Sequence, residues 1–291
     1  MGLHSPIARS ILRRILSLCF AKSESIPILV GPLARTRLPR TVALSNLSLV
    51  FSRYEPSVAS EITGLPSSIR VAYDIGAHVG LMTLTLARKV GPHGTVVAFE
   101  PCPSNVVPLR ELVRQNRLEK VVEVLDVAVA DYDGEALLLV GDTAYMHKLE
   151  VVHEGMSAPS RQTFTARVTS IDELVFKQDY PPPQLIKVDV EGAEALVIKG
   201  ARETLRQYAP YLLLEIHGPA NVDAIWDLLS DLNYEWKALG DSGSPEVMTR
   251  QRARSFFSKE LWTHHFLLAV RPAATSMNGR ASSNMFAKEA L

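Results

Sequence analysis

The stretch VAYDIGAHVG occupies residues 71–80 and joins an apolar strand pattern, Val71–Asp74, to a turn that contains two glycines. Apolar residues then recur at helical spacing over Leu81–Lys89, and Thr95–Glu100 has the character of a second strand. A strand, a turn, a helix and another strand in this order are typical of a parallel β-α-β unit. This stretch therefore predicts an α/β protein with a mostly parallel sheet and helices on both faces.

The alternation of short strands and longer helices continues beyond this unit. Further strands are predicted at Val121–Leu125, Leu185–Asp189, Tyr211–Ile216 and Phe266–Val270. Further helices are predicted at Ser104–Asn116, Ala193–Tyr208 and Val222–Leu232. The runs Val127–Ala130 and Ala136–Val140 flank the turn signal Asp131–Gly134, which predicts a β-hairpin.

The composition excludes several classes of protein. The chain has 291 residues, 47% of them hydrophobic, and 31 basic residues balance 31 acidic ones. These proportions are typical of a folded globular protein, and without a basic excess no nucleic-acid partner is expected. Two cysteines, Cys19 and Cys102, are too few for a disulfide framework or for a metal site built from cysteine pairs. They suit a reducing compartment, so a cytoplasmic location is expected.

The first 25 residues are expected to form a basic amphipathic segment. Residues 1–50 hold seven basic residues against one acid, a net charge of +6. The stretch Ile7–Phe20 predicts a helix, which is too short to span a bilayer because a span needs about 20 apolar residues. Two interpretations stay open: weak contact with an anionic membrane surface, or packing of this helix on the domain.

The rest of the chain divides into three parts. Residues 26–69 are expected to lead into the main domain, which is expected at 70–271. The small, polar residues 272–291 predict a disordered tail, and a loop is expected at Gly141–Ser160.

Acidic residues recur at the ends of the predicted parallel strands. These residues are Asp74, Glu100, Asp126, Asp189 and Glu215, the last followed closely by His217. Ligands of such sheets bind at the carboxyl ends of the strands, near the point where the strand order reverses. A site is therefore expected at this edge, for a ligand that is cationic, rich in hydroxyl groups or bound to a metal.

The turn after the first strand is poorly suited to phosphate. A dinucleotide fingerprint requires glycine where this chain has His78, and a triphosphate loop requires a Gly-Lys-Ser/Thr sequence that this turn lacks. Asp74 would repel phosphate and attract an ammonium or sulfonium group, while Glu100 would accept hydrogen bonds from a ribose diol. A sulfonium, an amino acid and a ribose without phosphate describe S-adenosylmethionine (SAM).

Four segments carry a resemblance to a known family. They are DIGAHVG at 74–80, VVAFEPCPSN at 96–105, LIKVDVEGAE at 185–194 and LLLEIH at 212–217. In this order they resemble the FkbM family of class I methyltransferases, as do IPILVGPL at 26–33 and the pair Tyr54 and Glu55. The similarity covers about 26–217 and extends more loosely to 271. It differs from the family pattern at His78, where asparagine is usual, and at Cys102, where aspartate is usual.

The resemblance implies a Rossmann-like fold and SAM-dependent O-methylation of a sugar, glycolipid, polyketide or other secondary metabolite. The residues expected to bind SAM are Asp74, Gly76, Ala77, Gly80, Glu100 and Asp126. Gly80 is expected to leave space beneath the adenosyl group. Asp126 either accepts a hydrogen bond from the adenine amino group or caps the turn that follows it.

Three residues near the fourth and fifth strands are expected to be catalytic. His217 is the expected base, because the ordinary pKa of histidine is about 6.5. A carboxylate at Glu215 would raise this pKa. Asp189 would orient the acceptor, and Glu191 is the alternative base. Glu194 is interpreted as a structural charge at the start of a helix.

A magnesium ion held by Asp189, Glu191 and Glu215 is a weaker alternative. A site that works without a metal is expected ahead of this alternative. A different class of function also stays open, namely a module that binds SAM or a partner without turnover. An NAD-dependent oxidoreductase is a more distant possibility.

Overall fold

The computed structural model describes residues 6–51, 56–139, 163–239, 246–247, 249–258 and 266–270. The predicted loop Gly141–Ser160, the predicted tail 272–291 and the pair Tyr54 and Glu55 lie outside the described residues. Among the described residues, no helix has the length and apolar character that crossing a membrane requires.

The helices and strands occur in the following bounds. The first part of the chain contains α1 Pro6–Cys19, β1 Ser25–Pro27, β2 Arg37–Pro39, α2 Arg40–Ser45, α3 Leu47–Val50 and α4 Pro56–Gly64. The middle contains β3 Val71–Ile75, α5 Leu81–Val90, β4 Thr95–Phe99, α6 Pro103–Gln115, β5 Val122–Leu125, β6 Val127–Val129, β7 Gly134–Leu139, β8 Thr163–Thr169 and α7 Ile171–Lys177. The last part contains β9 Leu185–Val188, α8 Glu194–Lys199, α9 Arg202–Tyr208, β10 Tyr211–Glu215, α10 Pro219–Ser230, β11 Glu235–Leu239, β12 Glu246–Val247, α11 Arg250–Ser258 and β13 Phe266–Val270.

An eight-stranded sheet in the order β12-β11-β13-β10-β9-β3-β4-β5 forms the centre of the molecule. The strands β10, β9, β3, β4 and β5 are parallel, whereas β13 runs antiparallel to both β10 and β11. The chain moves outward from β3 to β5 and then returns to the other side of β3 at β9. The order therefore reverses between β3 and β9, where doubly wound sheets bind ligands. This topology confirms the predicted α/β fold.

Both faces of the sheet are buried. Successive side chains of a strand point to opposite sides and therefore enter two different apolar clusters. In β10, Leu212 and Leu214 belong to one apolar cluster and Leu213 belongs to another on the opposite face. The adjacent strand β3 is divided in the same way, with Tyr73 in the first cluster and Ala72 in the second. Apolar runs such as VVAF and LLLEI reflect this two-sided burial.

The segment before the main domain packs on the outside of α5 and α6. Its side chains Ile26, Leu38 and Val50 share an apolar cluster with Leu84 of α5 and Leu112 of α6. This packing brings the end of the segment close to the turn that follows β3. The division of the chain into domains stays a prediction.

The predicted hairpin at 127–140 is wrong. The small sheet has the order β6-β8-β7, in which β8 lies parallel to β6 and antiparallel to β7. The strand β8 was not predicted, although exposed polar residues such as Thr163, Thr165 and Arg167 alternate with inward-facing ones, as is typical of a half-buried strand. A turn signal thus indicated a change of direction without indicating which strand pairs with which.

The single helix predicted at 193–208 is two helices, α8 and α9, separated at Gly200 and Ala201. A side chain at Gly200 would place its Cβ 1.9 Å from the carbonyl oxygen of Ala130. The backbone of residue 200 therefore packs directly on the end of the small sheet. This long-range contact is invisible to helical periodicity.

Candidate active site

The turn after β3 touches the end of β9 through its backbone. A Cβ at Gly76, whose φ is 77°, would lie 1.8 Å from the carbonyl oxygen of Asp189. The amide of Asp189 donates to the carbonyl of Ile75 over 3.0 Å. Only glycine fits this approach, so the turn and the end of β9 form one unit at the predicted switch point.

Glu100 anchors the same turn to the end of β4. Its buried carboxylate accepts hydrogen bonds from the amides of His78 (2.8 Å) and Cys102 (2.9 Å) and from the side-chain amide of Asn105 (3.3 Å). An ionised carboxylate offers about four acceptor positions. Glu100 thus fixes the backbone of this turn and the start of α6 relative to the end of β4.

Gly80 lies close to two leucine side chains of α6. A Cβ at this position, where φ is 93°, would lie 2.6 Å from Cδ1 of Leu109 and 3.2 Å from Cδ2 of Leu112. Both leucines belong to α6, so glycine is needed here for helix packing. The expectation that Gly80 leaves space beneath an adenosyl group stays a prediction.

A buried ion pair lies beneath the turn. Asp74 is fully buried, and its Oδ2 accepts a hydrogen bond of 2.6 Å from the hydroxyl of Thr83. Its Oδ1 has no hydrogen-bond partner and lies 3.5 Å from Nζ of Lys187 on the adjacent strand. That ammonium group also donates to the carbonyl of Gly76 (3.0 Å) and lies 3.4 Å from Oδ2 of Asp189. Lys187 therefore connects the turn, Asp74 and Asp189.

The sequence prediction missed Lys187. The signal was present, since a lysine in the apolar run LIKV of a central strand must be buried, and a buried charge needs partners. Its partners depend on the register of β3 against β9, which the sequence does not show.

A cleft opens between this turn and helix α3 of the N-terminal segment. Its lining residues are Asn46, Leu49, Gly76, Ala77, His78, Val79, Leu81, Met82, Lys187 and Asp189. Gly76 and Ala77 line the cleft, and their binding of SAM stays a prediction. Asp74 and Glu100 are adjacent to the turn but not among these lining residues.

Next to the cleft, His217 follows β10 and is surrounded by carboxylates. Its Nδ1 lies 2.8 Å from Oε1 of Glu194, while its Nε2 lies 3.4 Å from Glu191 and 3.7 Å from Glu215. Glu194 is fully buried and also accepts from the amide of Gly192 (2.8 Å) and the side chain of Asn221 (2.9 Å). Glu194 thus holds the imidazole, beyond the structural role expected for a charge at a helix start.

The carboxylates change the proton affinity of His217. Burial alone would lower its pKa, but the hydrogen bond and charge of Glu194, with the charges of Glu191 and Asp189, outweigh burial and raise the pKa to about 9. The direction agrees with the expected effect of a neighbouring carboxylate, but the main contribution to the rise comes from Glu194 and not from the expected Glu215. Burial also raises the pKa of Glu191, where the imidazolium opposes burial and the nearby carboxylates reinforce it.

Asp189 belongs to both parts of the site. It lines the cleft, and one of its carboxylate oxygens lies within 4.8 Å of ligand atoms of both Glu215 and His217. The magnesium site considered above contained Glu191 where this trio contains His217. Glu191 lies beyond the end of β9, with φ at 55°. The ammonium group of Lys187 already lies beside Asp189 as a cation.

Comparison with known proteins identifies the family. The sequence profile of the methyltransferase FkbM domain matches residues 74–236, which include the turn after β3 and the His217 cluster. The chain belongs to the FkbM methyltransferase family.

Hexuronic acid methyltransferase AglP of Haloferax volcanii is 29% identical to this chain over 161 residues. These residues cover 55% of this chain and 62% of the relative. The chain thus spans less than two thirds of that relative. Methyltransferase sdnD of Sordaria araneosa is 28% identical over 201 residues, with 60% of this chain and 77% of the relative covered.

Two solved structures are also similar to this chain. The FkbM methyltransferase of Methylobacillus flagellatus has a TM-score of 0.45 at 16% identity. The superposition covers 90% of this chain and 59% of that structure. The fibrillarin of Aeropyrum pernix, solved with bound SAM, has a TM-score of 0.39 at 16% identity and covers 73% of each chain.

The backbone conformation explains why this chain can have His78 where the family usually has asparagine. The φ angle of His78 is 50°, in the left-handed region, which asparagine and histidine adopt more readily than most residues. Either residue therefore suits this turn. Cys102 is buried and donates its amide to Glu100, which does not require the usual aspartate.

Asp126 lies apart from the other predicted site residues. Its exposed carboxylate forms an ion pair of 2.8 Å with Arg110 of α6. Its predicted contact with adenine stays a prediction, and the structure does not bring it together with the cleft.

Proposed function

We propose that this chain transfers a methyl group from SAM to a hydroxyl group of a sugar, glycolipid, polyketide or similar metabolite. The observation that supports this function is the double position of Asp189, which faces both the cleft and the His217 cluster. When bound, SAM supplies a methyl group whose transfer requires a hydroxyl oxygen aligned behind it.

The residues of the cleft fit the amino-acid end of SAM. The ammonium of Lys187 and the carboxylate of Asp189 offer the two opposite charges that a free amino acid needs. Oδ1 of Asp74 is buried and faces the ammonium of Lys187 at 3.5 Å, so Asp74 would hold that ammonium in place beneath the cleft. The turn lacks the glycine pattern that binds pyrophosphate.

His217 is positioned to receive the proton of the acceptor hydroxyl. Glu194 engages Nδ1, which leaves Nε2 directed to the side of Glu191 and Glu215. These two carboxylates would stabilise the imidazolium that forms when Nε2 takes the proton. Asp189 would orient the hydroxyl from the cleft side, and Glu191 is the alternative base because its raised pKa makes it a better proton acceptor.

The charge of the cluster restricts the acceptor. Four carboxylates surround one imidazole, so the site favours a neutral or cationic hydroxyl compound over an anionic one. A free uronic acid would be repelled. The preferred acceptor is therefore expected to differ in charge from the hexuronic acid named for the Haloferax volcanii relative.

The function is tested by calorimetric titration of the protein with SAM and with NAD, followed by a methyl-transfer screen over neutral sugars, amino sugars, glycolipids and polyketide alcohols. The proposal expects SAM binding, no NAD binding and methylation of a neutral or amino-bearing hydroxyl compound. SAM binding without transfer to any class would favour a binding module. Binding of NAD instead of SAM would contradict the proposal and favour an oxidoreductase. A cytoplasmic location and the absence of a nucleic-acid partner remain part of the proposal.

A further inference from the structure

Helix α1 is apolar on two sides. One side packs on the protein through Leu12 and the buried Leu16, which join the cluster that holds the N-terminal segment on α5 and α6. The other side carries Ile11, Ile15 and Leu18, with exposed fractions of 56%, 49% and 70%. These residues recur at i, i+4 and i+7 and form one stripe, which is called the outer stripe below.

Basic residues accompany the outer stripe. Arg13 and Arg14 are exposed on α1, and Arg14 is placed three and four residues from Ile11 and Leu18, on their side of the helix. The helix PIARSILRRILSLC contains no acidic residue. Residues 1–50 carry a net charge of +6, which leaves −6 for the rest of the neutral chain. The positive charge is thus concentrated in the segment that exposes the stripe.

We propose that the outer stripe docks the protein on the surface of an anionic lipid bilayer. In this arrangement α1 lies in the plane of the interface, the three aliphatic side chains enter the acyl boundary, and the arginines contact lipid phosphates. Lipid fits the stripe better than a second copy of this chain does. A symmetric contact between two copies would place one +6 segment against another.

Substitutions test this proposal better than deletion of residues 1–25. Deletion would remove Leu16 from the core and Ser17, which accepts a hydrogen bond of 2.9 Å from Arg40. The outer stripe can instead be changed by Ile11→Ser, Ile15→Ser and Leu18→Ser, singly and together. Val107→Ser on α6 is a matched control, because Val107 is 68% exposed and Leu18 is 70% exposed.

The measurement is co-sedimentation of the full chain with vesicles of phosphatidylserine and phosphatidylcholine, or of phosphatidylcholine alone, at low and high salt. We expect binding to the anionic vesicles, a loss of roughly tenfold in partition for Leu18→Ser and of a hundredfold or more for the triple variant. Arg14→Gln is expected to weaken binding about fivefold at low salt. Val107→Ser is expected to bind like the wild type, and SAM titration of each variant checks that the domain remains folded.

Three results would overturn the proposal. They are a full chain that does not sediment with anionic vesicles at low salt, a triple variant that sediments like the wild type, and a wild-type dimer that the triple variant converts to a monomer. The last result would assign the outer stripe to a second copy of the chain.

Discussion

Glu194 holds His217 through a distance of 2.8 Å between Oε1 and Nδ1, and Nε2 remains on the side of Glu191 and Glu215. A base held in this way accepts a proton only at Nε2. His217→Ala is therefore expected to lower turnover about 100-fold or more, measured near pH 9, while the SAM affinity changes little. The exposed His93 provides the control, and His93→Ala is expected to turn over normally. Near-normal turnover of His217→Ala would move the role of base to Asp189 or Glu191.

The pH dependence gives a second prediction for the same residue. A base must be neutral to accept a proton, and the pKa of His217 is raised to about 9. The value of kcat/KM should thus rise about tenfold per pH unit below pH 9 and level off above it. Glu194→Gln removes the main stabilising charge, so the rise should move to lower pH. An acid limb that stays in place in Glu194→Gln would contradict the assignment of this limb to His217.

At the scale of elements, the contact between the turn after β3 and the end of β9 determines the geometry of the site. Gly76 and Gly91 share a φ of 77°, but a Cβ at Gly76 meets the carbonyl of Asp189 at 1.8 Å, whereas nothing lies within 4 Å at Gly91. Gly91→Ala should thus cost only the backbone strain, about 1–3 kcal/mol. Gly76→Ala should destabilise the fold considerably more and weaken SAM binding, as measured by urea unfolding and calorimetry. Equal effects of the two substitutions would contradict the close approach.

The elements also show what the sequence could predict. The parallel strands have strong apolar runs because both of their faces are buried, and the ends of β3, β4, β9 and β10 therefore indicated the edge that carries the site. Asp189, Glu191, Glu215 and His217 come together for this reason. The pairing of β8 with β6 and β7 and the break at Gly200 could not be predicted, because they depend on contacts between segments distant in the chain.

The partners of the site residues were harder to predict than the residues themselves. Lys187 meets Asp74 because β3 and β9 are neighbours in a particular register. Glu194 meets His217 because α8 begins beside the end of β10. Each pairing requires the strand order, which helical and strand periodicity do not contain. A close approach to α6 likewise explains Gly80, whose glycine was expected to serve the cofactor.

At the scale of the whole molecule, the N-terminal segment connects two surfaces. Asn46 and Leu49 line the cleft, while α1 of the same segment exposes the outer stripe. The cleft is thus formed jointly by the main sheet and the segment before it. A ligand in the cleft should therefore stabilise both parts of the chain at once.

Hydrogen exchange of the full chain with and without SAM tests the central claim most directly, because it locates the bound cofactor without requiring the acceptor. The account predicts slower exchange in peptides that cover residues 46–49, 76–82 and 187–192 at saturating SAM, and no such change with NAD. Unchanged exchange in all three segments at saturating SAM, or protection confined to other parts of the chain, would contradict it.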